Sequence, residues 1–363
     1  MGATYHIMHG SQAIASIDTE GRCTIYHAPF LPYNLWLEEC QNGLDTQFHN
    51  LANFYFWCAS RMLTLDRAYA KESLNSIGMA QAMTDRERAQ IALSYHALCL
   101  TDIYWVKEST ETVTFAEINL YDNPLSNAFV DVSLRGRQIS ITNSYLIADD
   151  LSTGGTFPKA WYRENDGIVL LKDGNADAVE RELLASKICQ CFSCKQVVYQ
   201  ESIYDGLKVS KSPLMTSAAY SIASREAFEI YAVNHGLDVQ AYIDQLDAYS
   251  YDMMNILDYL IGNTDRHWGN WGFLVDNATN RPLRLHDFMD FNKAFSQYDT
   301  LPGANCLTVP FSTKMTQLEA AQKAVQRSGL NQLAEIPKEW FFGHEPWWEM
   351  FCQRLDALKK LEP

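Results

Sequence analysis

The chain has 363 residues, with 29 Lys+Arg against 44 Asp+Glu and a formal net charge of −15 with His neutral. That balance excludes a general nucleic-acid-coating role, which needs a positive footprint, but admits a nucleotide, whose charge one Lys, backbone amides and metal ions can meet locally. Hydrophobic residues at 47% suffice for a large core, 18 Gly with 11 Pro exclude collagen-like and low-complexity classes, and the length predicts two domains or one bilobal unit.

No segment is apolar and long enough to predict a membrane span, and residues 1–17 lack the basic and apolar regions of a signal peptide. The nine cysteines are odd in number and mostly scattered, which predicts a reducing, cytoplasmic compartment. Cys189, Cys191 and Cys194 form a C-x-C-x-x-C cluster, but no second group of Cys or His closes a tetrahedral set. They are read as small apolar residues at a helix end.

Residues 3–28 alternate as three short strands, with a turn at Asp18-Thr19-Glu20-Gly21 between the second and third. Residues 51–100 read as helices, and Thr84 with Glu87 forms a capping box that opens one of them. Residues 112–121 and 129–141 return to strand character, completing a mixed N-terminal α+β domain over residues 1–140. Within it Trp57, Arg61, Arg67, Tyr104 and Trp105 are read as core aromatics with snorkelling arginines rather than a site. A turn of small and hydroxyl residues follows at 149–159. Strands are expected at 167–172, 197–199 and 207–210, and a helix over 177–189. Beyond Pro213 helices are expected over 223–235, 238–262, 313–328 and 338–360. A small β-rich lobe (141–212) before a larger α-helical lobe (213–363) predicts an α+β fold with a cleft between the lobes.

The densest chemical signal is Gly262-Asn263-Thr264-Asp265-Arg266-His267-Trp268-Gly269-Asn270, set between a helix and an apolar strand at 271–275. A second strand leads into the acidic turn His286-Asp287-Phe288-Met289-Asp290-Phe291-Asn292. An Asp, an Asn five residues on and an acidic turn about twenty residues later suit phosphoryl transfer: one Asp for the hydroxyl proton, the Asn and a later Asp as hard oxygen ligands for Mg²⁺. A hairpin of the two strands would bring these segments together. His267 is read chiefly as a hydrogen-bonding residue of the loop, and Arg266 as a partner of phosphate or Asp265, or as solvated.

The stretch Thr264-Asp265-Arg266-His267-Trp268-Gly269-Asn270 resembles the catalytic loop of HipA-like serine/threonine kinases, and its D-R-H-x-x-N form is also similar to that of phosphoinositide-kinase-like enzymes. Leu285 to Phe295 resembles the metal-binding turn of the HipA-like family, and Ser152-Thr153-Gly154-Gly155-Thr156-Phe157-Pro158-Lys159 its loop near ATP. The resemblance covers about residues 146–363 and implies a bilobal protein-kinase-like fold preceded by the N-terminal domain, with ATP and Mg²⁺ as cofactors. It implies Asp265 as the catalytic Asp, Asn270 and Asp290 as metal ligands, and Lys172 as the phosphate-pairing strand Lys. Asp290 is preferred to Asp287 because Ala294-Phe295 fits downstream; the helix partner of Lys172 is Glu182, or else Glu180. Ser152, Thr153, Gly154, Gly155, Lys159, Ser212 and His267 complete the ATP-contacting set, with adenine near Val209 to Leu214. Thr156-Phe157-Pro158 departs from the family's Gln at the middle of its loop. The family also implies transfer to a Ser or Thr of a protein, a toxin or stress-regulatory role with an antitoxin-like partner, and self-phosphorylation at Ser152, whose alternative reading is a cap of its turn. A lipid or small-molecule kinase, a nucleotide-binding regulatory module without turnover and a nucleotidyl transferase are the alternatives.

Overall fold

The computed structural model describes residues 2–61, 84–123, 159–172, 176–204, 206–296 and 300–361. The alternating N-terminal runs form β1 (Thr4–His9), β2 (Gln12–Asp18) and β3 (Cys23–Ile25). With β4 (Tyr104–Glu108) they make an antiparallel sheet of order β3-β2-β1-β4. Helices α1 (Leu44–Ser60) and α2 (Asp85–Ser94) accompany it, and the Thr84–Glu87 capping box opens α2. Ile7, Phe54, Trp57 and Trp105 anchor the core of this N-terminal unit.

Strand character expected over 112–121 is absent: Phe115–Ile118 is one helical turn. Thr114 and Glu117 form a capping box there, and two satisfied backbone donors outweigh the β-branched pattern. The segment 129–141 and the domain boundary near 140 lie outside the described residues.

Strands β5 (Lys159–Glu164), β6 (Gly167–Lys172), β7 (Gln200–Tyr204) and β8 (Leu207–Pro213) form a second antiparallel sheet, ordered β5-β6-β8-β7. Helix α3 (Ala176–Cys189) packs beside β8. The strand expected at 197–199 begins instead at Gln200, while Val197 and Tyr199 sit buried in irregular chain.

The third sheet, order β11-β10-β9, joins β9 (Tyr220–Ser224), β10 (Gly272–Asp276) and β11 (Arg281–Leu285). Strand β9 replaces the start of a helix expected from residue 223; the hydroxyl of Ser224 caps α4 (Arg225–His235) by accepting from the Ala227 amide. Helix α5 (Val239–Ile261) runs through the larger core, buried at every position from Tyr251 to Ile261. Asp247 interrupts it: its carboxylate accepts from the Ser250 amide and, on the other side, from Leu285 N of β11. Helices α6 (Gln317–Ser328) and α7 (Glu345–Lys359) pack against α5. All nine cysteines are free; burial pushes the Cys189 thiol well above its usual range, as expected of a packed, unreactive residue.

Candidate active site

Two loops meet because a hairpin joins them. Gly262 ends α5 at φ 62°, and a Cβ there would stand 3.0 Å from Met350 Cε and 3.2 Å from Arg354 Nη1. The chain then passes through residues 263–271 into β10, where a Cβ on Gly272 would come within 2.1 Å of the Ala223 carbonyl oxygen of β9. Strands β10 and β11 pair with Phe273 opposite Leu285, and His286 N donates to Gly272 O at 2.9 Å. Segments 263–271 and 286–295 therefore leave the same end of the sheet.

Arg266, 2% exposed, clamps the two loops. Its Nε donates to Asp258 Oδ2 at 2.9 Å, and Nη1 donates to Asn270 O at 2.8 Å and to Met289 O at 2.5 Å. The guanidinium also lies 4.4 Å from the Phe288 ring centre. The loop sequence sets Arg266 toward phosphate, Asp265 or solvent and does not point to Asp258. The signal was present: Asp258 is an acid inside the apolar run Met253 to Ile261, and a buried carboxylate needs a partner.

Lys172, the last residue of β6, carries the charge facing these loops. Its ammonium donates to Glu182 Oε1 of α3 at 2.8 Å and to Asp290 Oδ1 at 3.1 Å. Glu182 is 1% exposed, and its other oxygen accepts from the Ser210 hydroxyl of β8. Glu180 instead pairs with Lys208 and His344 near the surface. Burial disfavours the Lys172 charge, but Asp290 and Glu182 outweigh it and hold its pKa well above the ordinary lysine range. For Asp290, burial works upward but Lys172 and then Lys159 work downward more strongly, leaving its pKa at about 2. Asp290 has φ 64°, and its amide donates to the Tyr199 hydroxyl at 3.1 Å. The Tyr199 ring lies 5.1 Å from the Lys172 ammonium, a contact the sequence did not suggest.

Across from Lys172, Asn270 Nδ2 donates to Asp265 O at 2.9 Å, which orients the amide and leaves Oδ1 without a hydrogen bond among the described residues. Asp265 stands on the same loop, half-buried. Desolvation raises its pKa, His267 opposes the rise, and the nearby Asp290 charge adds to it. His267 is exposed and folds back so that Nδ1 accepts from Gly269 N at 3.0 Å. Asp287 turns away and pairs with Arg284 at 2.7 Å.

A cleft of about 540 Å³ joins these groups. Lys159, Lys172, Ser212, His267, Asn270 and Asp290 line it, and Leu170 and Leu214 give it apolar walls. Asp265 and Glu182 are not among its lining residues: Asp265 belongs to the same loop as Asn270, whose amide donates to its carbonyl, and Glu182 pairs with Lys172. Ser152, Thr153, Gly154 and Gly155 lie outside the described residues. The arrangement presents one fixed cation and two hard oxygen groups, Asp290 and Asn270, to a shared space beside a carboxylate of raised pKa.

No protein-family model and no curated protein matches the chain. Among solved structures the fold is similar to the proinflammatory kinase CtkA of Helicobacter pylori: 15% identity, 58% of this chain and 92% of that one, TM-score 0.46. It is also similar to the chain matched in the Shewanella oneidensis complex of the toxin–antitoxin proteins HipA and HipB with operator DNA: 9% identity, 98% of this chain and 97% of that one, TM-score 0.49.

Proposed function

We propose that this chain is an ATP- and Mg²⁺-dependent phosphotransferase on the bilobal protein-kinase plan, with a Ser or Thr hydroxyl of a protein as acceptor. The observation that carries this reading is the Lys172–Asp290 contact, braced by Glu182 and facing Asn270 across the cleft. A buried ammonium held charged by two carboxylates is suited to phosphate oxygens. The oxygens of Asp290 and Asn270 suit Mg²⁺, a hard cation that binds few protein ligands and keeps the rest of its shell for phosphates and water. When bound, Mg²⁺ neutralises charge on the transferring phosphoryl group.

The side chains divide the remaining work. Lys172 holds phosphate oxygens, and Glu182 fixes its direction through the Ser210 bond behind it. Asp265 takes the proton of the acceptor hydroxyl; desolvation raises its pKa, which makes it a stronger base than an ordinary aspartate. Arg266 keeps Asp265, Asn270 and Asp290 in register by holding the carbonyls of both loops. The sequence resemblance extends the proposal to a cytoplasmic toxin-like or stress-regulatory kinase with an antitoxin-like partner, and to Ser152 as its self-phosphorylated residue.

Incubation with γ-labelled ATP, Mg²⁺ and host lysate, followed by mapping of the labelled sites, tests the reading. Label on Ser or Thr is expected, and Asp265→Asn should lower transfer about 10²- to 10⁴-fold with ATP binding retained. Wild-type transfer by Asp265→Asn overturns the role of Asp265; AMP in place of phosphate on the protein overturns the kinase reading.

A further inference from the structure

The cleft does not end at the passage from β8 to β9. It continues until it meets the N-terminal unit, and Tyr33, Asn34, Thr101 and Asp102 line it together with Lys172 and Asp290. That far wall is tied down on both sides. Toward the third sheet, the Ile222 amide donates to Thr101 O at 2.8 Å and the Thr216 hydroxyl to Leu100 O. At the β10–β11 turn, Asn280 Nδ2 donates to Pro29 O at 2.9 Å, while the Tyr104 and Tyr33 hydroxyls donate to Asn280 Oδ1 and O at 2.9 and 2.7 Å. Toward the second sheet, Arg163 of β5 donates to Leu120 O and Tyr121 O, both at 2.8 Å.

Resting on the phosphotransferase reading, we infer that the N-terminal unit is part of the nucleotide site, with Asn34 and Asp102 contacting the sugar-and-base end of a nucleoside triphosphate. The direction follows from charge. Phosphates are held where Lys172, Asp290 and Asn270 converge, so the uncharged nucleoside extends along the cleft, past the apolar faces of Leu170 and Leu214, toward the N-terminal wall. The polar groups found there match it. Asn34 has no side-chain hydrogen bond among the described residues, which leaves an amide donor pair and an acceptor for a base or sugar edge. Asp102 is fixed by Arg61 through bonds of 2.9 and 2.7 Å and by the Tyr104 amide at 2.9 Å. Its Oδ2 accepts from Arg61 Nη1 and keeps a second lone pair for a sugar hydroxyl, met among the described residues by a 3.5 Å contact from Thr101. Arg61 is thus a positioning residue for Asp102, a role the sequence reading of core packing did not give it.

The test is calorimetric titration of the full-length chain with Mg·ATP, Mg·2′-deoxyATP and Mg·tripolyphosphate. Asn34→Ala should weaken ATP about 3- to 10-fold, the worth of one or two hydrogen bonds, and leave tripolyphosphate unchanged. Asp102→Asn should narrow the preference for ATP over 2′-deoxyATP. Its melting curve is recorded alongside, because it also breaks the Arg61 pair; Asn34→Ala keeps the test decisive if that variant fails to fold. Lys172→Ala should weaken both ATP and tripolyphosphate. A wild-type chain that binds neither overturns the phosphotransferase reading itself. A wild-type chain that binds both, lost in Lys172→Ala but equal to wild type for ATP in Asn34→Ala, overturns the inference and leaves that reading standing.

Discussion

The two apolar cores of the molecule treat charge differently. Among the described residues, Arg61 is the one Lys, Arg, Asp or Glu buried in the N-terminal unit, and its partner Asp102 faces the cleft. The region from 159 onward buries Lys172, Glu182, Arg225, Asp252, Asp258, Arg266 and Arg354. Burying a charge costs several kcal/mol unless it is paired and hydrogen-bonded, so such groups mark places where a fold is organised around something other than packing. Here Lys172 is the strand Lys that the proposed chemistry uses, and Glu182, Asp258 and Arg266 hold it and the two loops. Among the described residues the N-terminal core is an ordinary apolar one whose one buried charge pairs at the cleft wall.

Breaking the loop clamp is the severest test of that contrast. Arg266→Ala strands Asp258 and frees two carbonyls, and should cost about 3–5 kcal/mol by urea denaturation. Arg266→Lys should recover little, since an ammonium cannot span a carboxylate and carbonyls on two loops. A loss below about 1 kcal/mol for Arg266→Ala would mean that the clamp is incidental.

The next test sets Asp290 against Asp265, whose pKa values move in opposite directions. Asp290 is depressed to about 2 in the folded chain, below the ordinary value near 3.9, so its stabilisation is complete above that ordinary value and is lost as pH falls toward 2. Asp290→Asn should cost about 2 kcal/mol at pH 7, with the difference from wild type shrinking as pH falls below about 4. Asp265 is raised by desolvation, so its ionised form is disfavoured by folding above that raised value. Asp265→Asn should therefore melt higher than wild type at pH 7, with the gain disappearing in acid. Melting curves between pH 7 and pH 3 check both signs; two variants shifting the same way would refute the opposed environments.

Much of this was legible in the sequence, for identifiable reasons. Alternation in β1 to β3, the capping box of α2 and the apolar face of α3 are local signals, and the structure has those elements. The hairpin β10–β11 was expected from two strands between polar loops, and it places Asp265, Asn270 and Asp290 together. What stayed hidden depended on distant partners. Strand β9 is short and joins a sheet completed fifty residues later, so nothing local distinguishes it from the start of α4. Tyr199 looked like strand and became the aromatic floor beneath Lys172. The T-x-x-E spacing of Thr114 and Glu117 is a local helix-start signal, masked by the β-branched residues around it.

The smallest predicted effect separates neighbouring carboxylates. Asp287 and Asp290 lie three residues apart on the same turn, and the sequence favours Asp290 as metal ligand with Asp287 as its rival. Asp290 meets Lys172 and lines the cleft; Asp287 meets Arg284, with both side chains about 30% exposed. A pair so exposed is worth roughly 0.2–1 kcal/mol. Asp287→Ala should therefore lower stability by less than about 1 kcal/mol and leave the Mg²⁺ dependence of ATP binding as in wild type. Asp290→Ala should lose that dependence outright. Titrating Mg²⁺ at fixed ATP for both variants reads the difference directly. If Asp287→Ala loses the Mg²⁺ response while Asp290→Ala keeps it, the ligand role passes to Asp287, and the Lys172–Asp290 pair becomes a structural bridge between sheet and loop.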